Sequence, residues 1–203
     1  MPEVVAERLV SDSRFNVVED PDNGDYVVDI PRFLERSGGR YEQIRRDTGV
    51  FRKRCCPTFV DLDLASRDCH EFIEVVSGQW LDCHLKDGSA PDDVTAESAA
   101  IRRSLDLHPN LGAVGLLIEG KPYGYTIYEV LGAGWAIGHF AKTASPLRGG
   151  TLVGMDAAFS RCFAAGAHLF NEEQDLGVAG LRRAKQSHRP VRFLRKYSVT
   201  LAQ

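Results

Sequence analysis

Between Asn171 and Tyr197 the chain gathers most of the side chains suited to chemistry. Asn171, Glu172, Glu173 and Asp175 follow a short apolar run, His168 to Asn171, that reads as a strand, so at least one carboxylate falls at the end of a sheet. Such a carboxylate could hold an incoming ammonium or take a proton from a hydroxyl or amine; Asp175 could equally cap the following turn. Arg182 and Lys185 are spaced to share one face of a short helix, where two cations pointing the same way can clamp a phosphate or simply face water. Tyr197 has the right type for a general acid toward a leaving oxygen or sulfur, and a buried tyrosine with one hydrogen bond would look the same.

Two further groups lie upstream. His139 alternates within an apolar strand pattern and reads either as a satisfied core histidine or as a residue facing a cleft. Arg148-Gly149-Gly150 precedes a helix, where backbone N–H groups freed of Cβ crowding could cradle an anion at the positive helix end; a plain turn is the other reading. No G-x-S-x-G elbow occurs, which leaves a covalent serine mechanism without support. Cys55, Cys56, Cys69, Cys83 and Cys162 show no metal-ligand spacing and read as reduced thiols, Cys162 as a small buried hydrophobe. Trp80 and Trp135 read as core or cleft wall rather than as platforms for bases.

These residues sit in a chain of 203 with 43% apolar and 26% charged residues and a net charge of −3, which excludes disordered and fibrous classes. No apolar run approaches bilayer length and no secretory signal is evident, so a cytoplasmic location is expected. The charge is unevenly spread: Leu181 to Lys196 is rich in Arg and Lys with no acid, and Arg40 to Arg54 is a second basic window. Each is either a solvated face or an anion-binding surface.

The elements follow from periodicity. Residues 1–25 read as a polar N-terminal segment, 26–110 as a mainly helical part and 111–203 as the catalytic core of one domain. Ile30 to Arg46 suggests two short helices broken at Gly38-Gly39, and Phe51 to Val60 a strand. A helix after Ser66 carries Phe72, Ile73, Val75, Val76, Trp80 and Leu81; a loop spans Lys86 to Asp93, and Ala96 to Leu107 is an amphipathic helix. Leu111 to Glu119, Tyr123 to Leu131 and Gly134 to Thr143 are three consecutive antiparallel strands. Thr151 to Ala165 is a helix with Leu152, Met155, Phe159, Cys162 and Phe163 inward, stopped at Gly166. Val178 to Ser187 is a short helix and Val191 to Leu201 a last strand. The class is α+β, with a mixed, mostly antiparallel central sheet flanked by helices, and the element order matches the GNAT acyltransferase fold.

Asn171-Glu172-Glu173-Gln174-Asp175-Leu176-Gly177, Gly180-Leu181-Arg182, Lys185, Ser187 and Pro190, closing with Lys196-Tyr197, resemble the N-x-E-x-D-L-G-x-x-G-L-R-x-x-K-x-S-x-x-P and K-Y signature of the C-terminal domain of phosphatidylglycerol lysyltransferases. His139-Phe140-Ala141-Lys142 resembles the family's H-F-x-K strand, and Asp25-Tyr26-Val27-Val28-Asp29 and Gly39-Arg40-Tyr41 with Arg45-Arg46 resemble its early segments. The resemblance covers roughly residues 25 to 201. It implies a GNAT-like transferase that moves an aminoacyl group from aminoacyl-tRNA to an amine or hydroxyl, here of a small molecule rather than a lipid because no membrane region is seen. Acyl-CoA is the other donor, bound at Arg148-Gly149-Gly150, and a non-catalytic GNAT-like binding module is the reading from another class. No tightly held cofactor or metal is implied. On the resemblance, Asp175, His139 and Tyr197 are the expected catalytic residues, and Arg148, Gly149, Gly150, Asn171, Glu172, Arg182 and Lys185 bind substrate, the last two on the donor's phosphates or the 3′ end of its tRNA. Family members cover one face of this unit with a preceding GNAT unit, and the roughly 110 residues before Leu111 are too few for one, so a homodimer is expected.

Overall fold

The computed structural model describes residues 1–86, 91–106, 110–145 and 147–202, with side chains for these apart from residues 84, 91–95 and 106. In chain order the elements are α1 (Glu3–Ala6), β1 (Phe15–Glu19), β2 (Asp25–Asp29), α2 (Ile30–Glu35), α3 (Glu42–Cys55), β3 (Thr58–Asp61), α4 (Arg67–Lys86), α5 (Pro91–Asp106), β4 (Leu111–Ile118), β5 (Lys121–Val130), β6 (Trp135–Thr143), α6 (Gly150–Ala164), β7 (Leu169–Asn171), α7 (Ala179–Ser187), β8 (Arg192–Leu194) and β9 (Tyr197–Leu201). Seven strands form one sheet in the order β3-β4-β5-β6-β7-β2-β8. Only β6 and β7 run parallel there; the other neighbours are antiparallel. The α+β architecture, with a mixed, mostly antiparallel sheet flanked by helices, is the one found.

Helices cover the sheet from both sides, because its central strands are apolar on both faces. Phe33 of α2, Ile44 of α3 and Met155, Phe159 and Cys162 of α6 pack with Val28, Ala136 and Phe170 on one side. On the other, Ile73 and Val76 of α4 and Ile101 and Leu105 of α5 pack on Ala113, Tyr125 and Ile127. Burial pushes the Cys162 thiol up to about 12, so it serves as packing, as its spacing predicted. The three antiparallel strands are those read from the apolar runs and the glycines between them, and the β4–β5 turn has Glu119 and Gly120 both at positive φ, as a two-residue hairpin requires.

Other readings needed correction. Phe51 is not the start of a strand: with Ile44 and Thr48 it completes the buried face of α3, which runs to Cys55 and ends where Cys56 takes φ 43°; the strand is Thr58–Asp61 alone. Val191 to Leu201 is two strands, not one. β8 pairs with β2, whereas β9 leaves the main sheet and pairs with β1, so residues 1–25 contribute a strand to a separate ribbon. Phe163 faces outward and is 43% exposed, while Asp156, which the apolar spacing passed over, is buried between Arg36 and Arg52. Proline at the first helical position starts α5 at Pro91, inside the stretch read as a loop. The rest of that loop at 87–90 and the helix end at 107–109 lie outside the described residues.

Candidate active site

Strands β6 and β7 pair over only three residues, Trp135–Leu169, Ala136–Phe170 and Ile137–Asn171, and then part. On its other edge β6 is in register with β5 until a bulge: Tyr128 faces Gly138, Ile127 faces Phe140, and His139 is the extra residue between them. A bulge puts two successive side chains on one face of its strand, so His139 keeps the face it shares with Ile137 and Glu129 and Phe140 joins it there. Two residues beyond the last β6–β7 pair, His139 and Glu173 meet, with Nδ1 3.2 Å from the carboxylate. Glu129 of β5 stands on the other side, 3.6 Å from Nε2.

As a carboxylate Glu173 accepts from Nδ1–H, so in the neutral ring the lone pair lies on Nε2, while Glu129 is too distant for a direct hydrogen bond but close enough to stabilise a charge on the ring. The hydrogen bond to Glu173, with a contribution from Glu129, raises the His139 pKa above its ordinary value, and burial only partly opposes this. The side chains of His139, Glu129 and Glu173 are 26%, 30% and 34% exposed, so a ligand can reach them and bulk water only partly screens them.

Behind this trio the loop after β7 is fastened residue by residue. Tyr26 of β2 donates its N–H to the Glu173 carbonyl and accepts from the Glu172 N–H. The Asn171 side chain accepts from the Glu173 N–H at 2.7 Å and donates to Asp25, which also accepts from Lys196 at 2.6 Å. Glu172 meets His188 at 2.6 Å, both buried, and its Oε2 has no hydrogen-bond partner among the described residues.

Asp175, expected as the base, is fully buried and already saturated. It accepts from the Tyr26 hydroxyl at 2.6 Å, from Arg182 Nε and Nη2 at 2.8 and 2.9 Å, and from the Gly177 N–H at 2.9 Å. The Arg182 guanidinium, helped by Tyr26 and Gly177 and opposed by burial, holds its carboxyl well below the usual range. A group with no free lone pair and so low a proton affinity anchors a loop; it does not take a proton from substrate. Arg182 is correspondingly engaged, with Asp175 and Asp22, and Lys185 donates to the carbonyls of Glu172 and Gln174. The two cations share a helix face as their spacing required, but that face looks inward at the loop.

Tyr197 lies on β9 opposite Glu19, in the β1–β9 ribbon, and is not brought to His139. Arg148 pairs with Asp47 of α3 at 2.9 Å. Gly149 sits at φ 90° with no room for a Cβ, which would lie 2.4 Å from the Asp47 carbonyl oxygen, and Gly150 abuts the rings of Phe51 and Tyr123. These glycines let α6 close on α3. Lys142 ties β6 to the helices by pairing with Glu97 of α5 over the Trp80 ring of α4. Glu129 and Glu173 were not singled out as site residues. Glu173 belonged to the acid cluster, but nothing in the composition of β5 marks Glu129.

The family model described as phosphatidylglycerol lysyltransferase, C-terminal, matches residues 3–200. The chain belongs to that family. The family is one of transferases, and the recognition made from the Asn171 to Tyr197 signature stands. No curated protein matches the chain. Among solved structures, a conserved protein of unknown function from Bacteroides thetaiotaomicron is similar with TM-score 0.81 and 20% identity over 98% of this chain and 66% of that chain. L-PGS from Bacillus licheniformis is similar with TM-score 0.67 and 17% identity over 96% of this chain and 64% of that one. At these identities the likeness is one of fold. The chain spans just under two thirds of the length of both, and no helix among the described residues is long and apolar enough to cross a membrane.

Proposed function

We propose that the protein transfers an aminoacyl group from aminoacyl-tRNA to the amine or hydroxyl of a small molecule, with His139 as the general base. The observation that carries this reading is the placement of His139 on the β6 bulge at the point where β6 and β7 separate, between Glu129 and Glu173.

The chemistry follows from the groups present. The acceptor N–H or O–H gives its proton to Nε2 of His139 as the nucleophile attacks the ester carbonyl carbon, and the resulting imidazolium is stabilised by Glu173 on Nδ1–H and by Glu129 beside Nε2. Past Ile137, β6 has no partner on its β7 side among the described residues, so backbone N–H groups along that edge are available to the developing oxyanion. Collapse breaks the bond to the tRNA ribose oxygen, which takes the proton back from His139. Positioning of donor and acceptor in the opening supplies the rest of the rate.

Two features favour tRNA over acyl-CoA. The Arg148-Gly149-Gly150 turn, the expected pyrophosphate cradle, is filled by α3. The two basic windows of the sequence meet, since Arg189 donates to the Arg40 carbonyl at 3.0 Å, and exposed Arg40, Arg183, Arg189 and Arg192 offer cations for the phosphates of a tRNA. The test is a competition between a pool of radiolabelled aminoacyl-tRNAs and labelled acetyl-CoA, with mixed amines and alcohols as acceptors. Label passing from tRNA alone supports the reading; passage only from acetyl-CoA, or from neither, ends it.

A further inference from the structure

We propose that Lys185 is a positioning residue whose ammonium holds Glu173 in the left-handed backbone that delivers its carboxylate to His139; this rests on the reading of His139 given above. Glu173 has φ 58°, a region that side chains with a Cβ occupy at a cost and keep only when their surroundings over-determine them. The residues on either side supply the hold. The carbonyls of Glu172 and of Gln174, the latter at 2.7 Å, both accept from Lys185 Nζ, so one ammonium grips the chain immediately before and immediately after Glu173. Asn171 adds a third constraint by accepting the Glu173 N–H.

The electrostatics point the same way. Burial pushes the Lys185 ammonium toward release of its proton, and Glu172, Glu173, Asp25 and Asp175 around it oppose that. A half-buried cation reaching two carbonyls among four carboxylates is committed to this loop rather than to a donor phosphate. Without it, Glu173 keeps only the bonds of its own N–H to Asn171 and of its carbonyl to Tyr26, the flanking carbonyls are released, and relaxation toward ordinary extended or helical backbone would swing the carboxylate off His139. The charged groups facing the His139 ring are then Glu129 from β5 and Glu173 from the loop after β7, with Lys185 of α7 behind the loop.

The experiment is an NMR titration of the His139 ring from about pH 5 to about pH 9 in the parent protein, K185M, E173Q and the double variant. The parent should titrate above the ordinary histidine value. E173Q should shift it down, K185M should shift it down toward E173Q, and the double variant should add little to E173Q. A folded K185M protein whose His139 titrates as in the parent overturns the proposal. A second measurement compares the thermal midpoint with and without K185M in the parent and in an E173G background, where glycine adopts φ near 58° unaided. The expected loss is clearly smaller in E173G. Where K185M does not fold in the parent, folding in E173G supports the proposal, whereas an equal loss in both backgrounds, or failure in both, overturns it. Both readouts are taken without substrate, so failure of tRNA-dependent transfer would sink the functional reading and leave this one to stand or fall by itself.

Discussion

Asp175→Asn separates an anchor from a catalytic base. The substitution keeps the shape of the side chain, but it removes the charge that Arg182 holds with two bonds and turns an acceptor into an amide that must aim a donor at Arg182, Tyr26 or the Gly177 N–H. Breaking a buried charge pair costs roughly 3–5 kcal/mol; because Arg182 is 39% exposed and can turn to water, the low end, about 3 kcal/mol, is expected. For a domain of this size that lowers the melting temperature by about 6–12 °C. The linkage has a definite sign. The folded pKa of Asp175 is depressed, so its contribution is present above the unfolded value of about 4 and is lost as the pH falls through that value toward the folded one. Melts followed by circular dichroism at pH 7 and down through pH 4 should therefore show a large gap between parent and D175N that narrows in acid, with Y26F losing about 1 kcal/mol as a one-bond control. A D175N protein that melts within a degree or two of the parent, yet transfers at least tenfold more slowly, would refute the argument and restore Asp175 as the base.

Other outcomes follow from the same geometry. E129Q and E173Q each remove a carboxylate that raises the His139 pKa, so the acid limb of the pH–rate profile should move to lower pH in both, more in E173Q, whose partner makes the direct hydrogen bond. G149A forces a Cβ into the Asp47 carbonyl and a left-handed backbone onto alanine, and should cost at least about 2 kcal/mol in urea unfolding while leaving the His139 titration unchanged. R40Q and R189Q should weaken tRNA binding and each reduce the slope of log affinity against log salt by about one; an unchanged slope would take the basic surface out of the donor site.

How much of this was visible in the sequence depends on which physical rule governed each residue. Strands β4, β5 and β6 are apolar runs of strand length that turn at glycines, so they could be read directly, and α6 declared its inward face through Met155, Phe159 and Cys162. The break between β8 and β9 falls at Arg195 and Lys196, which carry no turn chemistry. The chain bends there because Lys196 is drawn to Asp25 and bridges Pro2. The site was legible as a region rather than as a set of roles. The spacing of Arg182 and Lys185 placed them on one face, but cations default to water, and only the carbonyls and carboxylate of the 172–175 loop turn that face inward. His139 meets Glu129 only through the register of β5 against β6, and Glu173 only because the chain turns back after β7, neither of which residue type declares.

The central claim is that His139 takes the proton of the acceptor. Single-turnover decay of labelled aminoacyl-tRNA in the presence of acceptor, followed across pH for the parent and for H139Q, tests it most directly. The parent rate should rise as the pH passes the elevated His139 pKa and then level, while H139Q should be slower by a factor on the order of 10² to 10⁴ and lose that inflection, with its melting temperature nearly unchanged. A folded H139Q protein with the parent's rate and the parent's inflection would contradict the account.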